Sequence, residues 1–407
     1  MRPFDEDDAA AIERPPAIHI DGSQAGTLLR GIEQRGRLAR LLLHDLATTR
    51  TAVARGLIPP DVLSETPGWS ASLSSRPIDA PPAHLLACVE LVRNADRSWT
   101  VLAERSSLPY GLGLLASAPW GEDSPFASFS EFVVEELDRR SPHRALLYDP
   151  AAISPDENLA PHLVEQDARA TAEVLGIELL TPADLTVADG RLARTSHAQT
   201  PRGPQGSGAD LPAPDLLIRY SPSTALDPLE PTGRPHTGIP GLGALLRTGA
   251  VTVSNPSGAA ILANPALATF LPRLTRHYLS EDLILPSVTT YWCGDRAMCS
   301  HTIAHVSRLI LRCVATREIF DGRTMSIREL ADLCAQIADE PWDWVGQEPV
   351  EPDAIQLPDG GVTPVMLRGY AAGGEEWHAL PAGLAFIGEL DDRSRPLTHV
   401  VLTEGDE

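Results

Sequence analysis

The chain has 407 residues, of which 43% are apolar and 22% charged, and its formal net charge is -22. This length allows roughly two to three domains, and no apolar run approaches the roughly 18 residues of a membrane-spanning helix. The negative charge argues against nonspecific binding to nucleic acid or to an anionic membrane. The acidic start "MRPFDEDDAA" lacks the features of a signal peptide, so we expect a cytoplasmic protein.

The chain contains no lysine, and all 33 basic residues are arginine. Schiff-base chemistry, a Walker-type lysine and a lysine base are therefore excluded. A phosphate or carboxylate must instead be bound by arginine, histidine, backbone N–H groups or a metal ion. The five cysteines are widely spaced without a Cys-x-x-Cys pair, which favours free thiols in a reducing compartment.

The first half of the chain mixes helical and strand patterns. Apolar residues recur at helical spacing over residues 25–56. Residues 84–94 and 99–105 flank a polar turn and predict a β-hairpin. Residues 144–185 then alternate strand, helix and strand, a pattern typical of a parallel sheet.

The second half repeats this alternation after a polar break. Residues 194–214 are rich in Pro, Gly and Ser and predict a flexible loop. The run "RLILRCV" predicts a strand, "SIRELADLCAQIA" a helix and "WDWVGQEPV" a further strand. A closing hairpin is predicted over residues 362–388.

Several motifs, in the same order, resemble those of the circularly permuted ATP-grasp family, type 2, which is related to the ATP-grasp carboxylate-amine ligases and glutathionylspermidine synthase. The resemblance covers roughly residues 18 to 390. Its motifs are "WTVLAERSSLPYGLG", "LILPSVTTYWCGD", "LILRCVATREIFDG", "WVGQEPV", "VMLRGYAAG" and "ALPAGLAFIG".

The resemblance implies an α/β (α+β) protein with a circularly permuted ATP-grasp-like fold. It implies a preATP-grasp-type parallel sheet unit and two α+β subdomains. We expect an N-terminal helical segment plus a permuted ATP-grasp piece in residues 1–135. A preATP-grasp-like domain is expected in 136–295, with its flexible loop at 194–214, and a nucleotide-site subdomain in 296–407.

The same resemblance implies a ligase that uses ATP and Mg²⁺ to activate a carboxylate as an acylphosphate and joins it to an amine. The implied catalytic residues are Arg312, Arg368 and Glu104. The implied cofactor-binding residues are Arg312, Arg317, Gln347, Glu348 and Arg368. The implied substrate-binding residues are Arg105, Arg219 and Asn255, and the implied metal ligand is Glu104.

Because the chain is acidic and lacks lysine, a triphosphate site must be a local island of arginines. The residues predicted to form this arginine island are Arg312, Arg317, Arg323 and Arg368.

A second interpretation is a degenerate, non-catalytic ATP-grasp scaffold that binds a partner protein or a substrate. It is motivated by a shortened loop after the phosphate-binding strand, by Ser221 and Ala263 where the family tends to carry acids, and by Ala260 where it has a glycine. The resemblance implies partner proteins of the alpha-E or transglutaminase-like type.

Overall fold

The computed structural model describes residues 18–118, 120, 124–152, 161–195, 212–356, 360–388 and 397–403. Most of the flexible loop predicted at 194–214 falls on residues 196–211 and lies outside the described residues. Within the described residues, no helix has both the length and the apolar character needed to cross a membrane.

The α-helices of the described residues differ widely in length, from four residues to 26. In chain order they are α1 Gly22–Ala47, α2 Thr51–Ala54, α3 Pro60–Ser64, α4 Ala71–Ser74, α5 Leu112–Ala116, α6 Pro125–Arg140, α7 Pro161–Val174, α8 Leu242–Thr248, α9 Leu271–Leu279, α10 Arg296–Ala304 and α11 Ile327–Asp339.

Within the described part of the chain, the strands form a seven-stranded mixed sheet (the large sheet), a four-stranded antiparallel sheet (the small sheet), a four-stranded parallel sheet and a two-stranded hairpin. In chain order they are β1 Ile18–Asp21, β2 Leu86–Arg93, β3 Trp99–Glu104, β4 Arg144–Leu147, β5 Glu178–Leu180, β6 Leu185–Ala188, β7 Arg191–Arg194, β8 Leu216–Arg219, β9 Thr252–Ser254, β10 Thr290–Trp292, β11 Ile310–Cys313, β12 Ile319–Asp321, β13 Trp344–Gln347, β14 Ala354–Gln356, β15 Val362–Gly373, β16 Trp377–Ile387 and β17 Leu397–Thr403.

The large sheet has the strand order β1-β17-β16-β15-β2-β3, with β14 paired to β15. Helix α1 covers one of its faces because Leu28 and Ile32 lie on its apolar stripe and are fully buried. Helix α1 approaches β16 closely at Gly36, because any Cβ atom there would lie 2.2 Å from the Trp377 ring. Helices α5, α6 and α7 pack against the opposite face.

The parallel sheet has the order β5-β4-β8-β9 and confirms the predicted strand-helix-strand unit. Strand β4 pairs in parallel with β5 on one side and with β8 on the other. Helix α7 connects β4 to β5, as such crossovers require. The hairpin predicted at β2 and β3 is also confirmed by antiparallel pairing.

The small sheet has the order β10-β13-β11-β12. One face carries Leu311, Cys313 and Trp344, which pack against α10 and α11. Side chains alternate along a strand, so Arg312 and Gln347 lie on the other face, which turns towards the rest of the protein. This alternation places the predicted site residues at the junction with the large sheet.

The sheets draw on distant parts of the chain. Strands β2 and β3 belong to the same sheet as β15, although about 260 residues separate them. Residues 296–407 contribute strands to both the small and the large sheet. The predicted domain boundaries at 135/136 and 295/296 do not separate one sheet from another. The division into three domains therefore stays a prediction.

Asn255 follows β9 and fastens the parallel sheet to the large sheet. Its side-chain oxygen accepts hydrogen bonds from the backbone N–H groups of Leu85 and Leu86, both at 3.1 Å. Its amide nitrogen donates to the carbonyl oxygens of Leu86 and Ser106 at 2.7 and 2.5 Å. The side chain is buried, and these four bonds occupy its hydrogen-bonding capacity.

Arg219, at the end of β8, is a second fastening point and is 1% exposed. It donates to the carbonyl oxygens of Asn255 at 2.7 Å, Ser221 at 2.7 Å and Pro256 at 3.2 Å, and to Ser107 Oγ at 3.3 Å. Burial lowers the pKa of Arg219 to about 10. The sequence-based assignment of Arg219 and Asn255 to substrate binding does not fit, because both side chains bind the protein's own main chain.

Replacing Asn255 by alanine should strongly destabilise the protein. Four buried backbone groups would lose their partner, and each such loss costs about 1 to 3 kcal/mol. We expect the free energy of unfolding to fall by at least about 3 kcal/mol in urea denaturation.

The matched control is Asn94→Ala, which removes side-chain bonds to the hydroxyls of Ser98 and Thr100 in the β2–β3 turn. Since those hydroxyls can turn to water, the cost should stay below about 1 kcal/mol. Equal losses in the two variants would show that Asn255 does not fasten the sheets.

Candidate nucleotide site

Arg312 projects from the middle of β11 at the junction of the small and large sheets. Its side chain is half-buried, and its Nη1 donates to Gln347 Oε1 at 3.4 Å. Among the described residues the guanidinium has no acidic partner. Burial and the charge of Arg105, opposed by Glu90, together lower the pKa of Arg312 to about 10. Arg312 therefore carries a positive charge beside a second arginine.

Gln347 is held in place on β13 by its neighbours. Its amide nitrogen donates to Thr290 Oγ1 at 3.0 Å, while its oxygen faces Arg312. Glu348 follows at the end of the strand, where Tyr291 Oη donates to its carboxylate at 3.0 Å. Gln347 and Thr290 thus lie on the face of Arg312, whereas Tyr291 packs towards α10 on the opposite face and holds the Glu348 carboxylate there.

Glu90, on β2, is the central charge of the large sheet and is 2% exposed. One carboxylate oxygen accepts from Arg105 Nε at 2.8 Å and the other from Arg368 Nη2 at 2.5 Å. Burial by itself would raise the pKa of Glu90, but Arg105 and Arg368 together lower it to about 2. Glu90 thus stays ionised and neutralises about one of the two arginines.

Arg368 is used in the core and not at a ligand. It lies opposite Glu90 in the β2–β15 register and is fully buried. Besides Glu90 it donates to the carbonyl oxygen of Tyr110 at 3.0 Å, and its guanidinium lies 4.9 Å from the Phe386 ring centroid. These contacts do not fit the prediction that Arg368 is a catalytic or phosphate-binding residue, because its Nη1 and Nη2 atoms both donate inside the sheet.

Glu104, at the end of β3, forms an ion pair with Arg35 of α1. Arg35 also donates to the carbonyl oxygen of Leu285 at 2.5 Å and to Ser287 Oγ at 3.0 Å, which ties the start of the "LPSVTTYWCGD" segment to α1. Burial raises the pKa of the Glu104 carboxyl, and Arg35 opposes that shift. The carboxylate thus anchors a helix to a strand.

The prediction of a metal ion at Glu104 does not fit these contacts, because Mg²⁺ needs several oxygen ligands and this carboxylate is taken by Arg35. Two further acids are engaged elsewhere: Asp227 accepts from the N–H of Gly243, and Glu230 pairs with Arg247. No group of three His, Cys, Asp or Glu side chains suited to a metal ion occurs among the described residues.

The predicted island of four arginines is not formed. Arg323 is paired with Asp321 on the surface at 2.7 Å. Arg317 lies in the exposed β11–β12 turn, and Arg368 lies in the core. The structure instead brings Arg312 close to Arg105. The resemblance implied a substrate-binding role for Arg105.

Glu90 and Arg35 were missed by sequence reasoning. A signal for Glu90 was available, since it is the one acidic residue in the apolar strand "LACVELVR". A charge in such a strand requires a buried partner. Arg35 carried no comparable signal, because charged residues are common along a long helix.

The Glu90→Gln variant should be less stable, and the loss should depend on pH. Removing the charge leaves Arg368 buried without its counter-ion, which costs about 3 kcal/mol at neutral pH. In the wild type, the unfolded-state pKa is near 4.5 and the folded-state pKa near 2. The contribution of Glu90 is thus complete above pH 4.5 and is lost as the pH falls towards 2.

Urea denaturation at pH 7 and pH 3 measures this difference, which should shrink at pH 3. The control is Glu375→Gln in the exposed β15–β16 turn, which should change stability by less than about 0.5 kcal/mol at both values. A Glu90→Gln effect that is the same at pH 3 and pH 7 would contradict the assigned ionisation.

The family described as "Circularly permuted ATP-grasp type 2" matches residues 18–118 and 162–388. Relatives are similar over most of this chain. "Uncharacterized protein Rv2567" of Mycobacterium tuberculosis is 30% identical over 82% of this chain and 38% of its own length. "Uncharacterized protein sll0335" of Synechocystis is 24% identical over 89% of this chain and 76% of its own length.

A Frankia alni relative with the printed name "Putative glutamate--cysteine ligase 2-3" is 28% identical over 88% of this chain and 42% of its own length. The chain thus spans about two-fifths of the length of the Mycobacterium and Frankia relatives. The match in order and extent, together with the mixed α/β sheets, shows that the chain belongs to the circularly permuted ATP-grasp type 2 family.

Proposed function

We propose that the chain binds ATP at Arg312 and acts as an ATP-dependent carboxylate-amine ligase. Membership of the ATP-grasp family and the ligase name of the Frankia relative support a ligase. The carboxylate and amine substrates, and the use of Mg²⁺ with ATP, are part of this proposal. No step is assigned to a protein-bound metal ion, because Glu104 does not supply a site for one.

The observation that carries the proposal is the charge at the sheet junction. Arg105 and Arg368 share the single carboxylate of Glu90, and Arg312 beside them has no acid among the described residues. Arg312 thus brings to a partly buried site a cation that has no acidic partner among the described residues. A triphosphate compensates such a charge, and guanidinium groups bind its oxygens in a bidentate manner.

Glu348, at the end of β13, is the residue that we propose for binding the nucleoside part of ATP. Glu348 is half-buried, and its Oε1 accepts from Tyr291, so its Oε2 is left for a hydroxyl or amino donor of the nucleotide. Gln347 orients Arg312 through its own bond to Thr290. We propose that Arg312 binds phosphate oxygens while Glu348 binds at the nucleoside.

In the proposed reaction an oxygen of the substrate carboxylate attacks the γ-phosphorus, and the bond between that phosphorus and the β–γ bridging oxygen breaks. ADP leaves with the bond electrons, and an acylphosphate is formed. The amine then attacks the acyl carbon, phosphate departs, and the amine loses a proton. Arg312 would stabilise charge on the transferring phosphoryl group.

The predicted cytoplasmic location, and the predicted partners of the alpha-E or transglutaminase-like type, stay predictions. The scaffold alternative predicts no ATP turnover with any carboxylate and amine pair. Steady-state release of ADP that requires both a carboxylate and an amine distinguishes the two functions.

The Arg312→Gln variant should bind ATP at least tenfold more weakly, about 1.4 kcal/mol, because a charge-assisted phosphate contact is lost. Arg312→Lys keeps the charge but loses the planar donor pair, and its affinity should lie between wild type and Arg312→Gln. Isothermal titration with a nonhydrolysable ATP analogue and Mg²⁺ measures both effects.

The matched control is Arg323→Gln, which removes an exposed arginine of the neighbouring turn that is already paired with Asp321. Its affinity should equal that of the wild type. An Arg312→Gln variant that folds normally and binds like Arg323→Gln would refute the proposed phosphate contact.

A further inference from the structure

His84 lies just before β2, and its buried imidazole makes no hydrogen bond within the described residues. It is 1% exposed, and its ring stacks on the Trp377 indole with centroids 5.6 Å apart. Neither ring nitrogen has a partner among the described residues. Buried polar atoms are normally paired, since an unpaired one costs free energy. The two nitrogens therefore point to a bound group that is not part of the described chain.

Arg40 reaches the same region from α1. Gly36 packs directly on the Trp377 ring, and Arg40 lies one turn further along the same helix face. The Arg40 side chain is half-buried, and its Nε is a buried atom without a partner. Within the described residues Arg40 makes no hydrogen bond or ion pair. A second unpaired polar group thus lies close to His84.

Arg140, at the end of α6, lies against the chain beside His84. It donates to the carbonyl oxygens of His84 at 3.3 Å and Gly373 at 3.0 Å. Arg76 approaches from the segment after α4 and makes one bond, to Thr252 Oγ1 at 3.3 Å. Helices α1 and α6 therefore bring Arg40 and Arg140 to the His84 imidazole, and Arg76 lies near these two arginines.

The local charge is strongly positive although the chain as a whole is acidic. Burial and the charges of Arg140, Arg219 and Arg40 together lower the pKa of His84 to about 3, so the imidazole is neutral and has one N–H donor. Burial, Arg40 and Arg76 likewise lower the pKa of His44 on the same face of α1.

The nearest acids compensate little of this charge. Glu136 pairs with Arg139 and lies 4.0 Å from Arg140. Asp45 accepts from the backbone N–H groups of Thr51 and Ala52 at 2.9 and 2.8 Å. Arg40 and Arg76 are therefore left without a counter-ion among the described residues.

We propose that a second binding site, for the phosphate or carboxylate group of a small molecule, is formed by Arg40, Arg76, His84 and Arg140. Two guanidinium groups without a counter-ion among the described residues and a neutral N–H donor match the oxygens of such a group. His84 and Glu90 lie six residues apart along β2, about 20 Å, so this site is distinct from the junction at Arg312. The site goes beyond the proposed ATP contact and does not depend on it.

Thermal unfolding of the full chain, titrated with inorganic phosphate or acetate against sodium chloride at constant ionic strength, tests the site. An anion that binds the folded state raises Tm in a saturable way. We expect such a rise in the wild type, with an apparent Kd at least fivefold weaker in Arg40→Gln. Arg76→Gln should show the same loss, so the test remains if one variant folds poorly.

Two controls separate this site from general charge effects and from the ATP site. Arg55→Gln removes an exposed arginine beyond α2, and Arg312→Gln removes the proposed ATP contact. Arg55→Gln should keep the wild-type response to the anion. In an Arg312→Gln background, which lacks the proposed ATP contact, the loss caused by Arg40→Gln should persist. A stronger response to phosphate than to acetate identifies a phosphate group, and the reverse identifies a carboxylate. No saturable rise in the wild type, or equal responses in all variants, would overturn the proposal.

Discussion

The buried carboxylate of Glu90 is the interaction on which the site depends. It lies in the middle of the large sheet and pairs with both Arg105 and Arg368. Because a guanidinium cannot lose its proton in the protein, Arg368 would lose this counter-charge in the core without it. Arg312 adds a further cation to this junction from the small sheet.

The absence of lysine gives arginine two different roles in this protein. Arg35, Arg219 and Arg368 bind carbonyl oxygens or carboxylates inside the fold and join elements that are distant in sequence. Each is buried, and its terminal nitrogens donate to two or more acceptors. Arg312 and Arg40 have few such acceptors among the described residues, which makes them candidates for binding ligands.

Much of the fold could be predicted from the sequence, because it depends on local patterns. The apolar runs of β4 and β5 with α7 between them predicted parallel pairing, and the pairing is present. The polar turn after β2 predicted the hairpin with β3. The pairing of β2 with β15 depends on contacts between the two ends of the chain, and no local pattern predicts it.

The candidate site could be predicted only in part. The motifs placed Arg312, Gln347 and Glu348 near one another, and the structure brings Arg312 and Gln347 together on β11 and β13. A motif shows where an arginine lies in the sequence but not whether an acid of the folded protein already pairs with its guanidinium. Arg368 is occupied by Glu90, which lies 278 positions away along the chain, so its structural role became visible only in the folded protein.

The central claim is that the junction of the two sheets binds the phosphates of ATP through Arg312. A crystal structure of the chain with a nonhydrolysable ATP analogue and Mg²⁺ tests it most directly. The account predicts phosphate oxygens within hydrogen-bonding distance of the Arg312 guanidinium, about 2.7 to 3.2 Å, with the Glu90 pairs unbroken. An analogue bound elsewhere with Arg312 untouched, or phosphates contacting Arg368 in place of Glu90, would contradict the account.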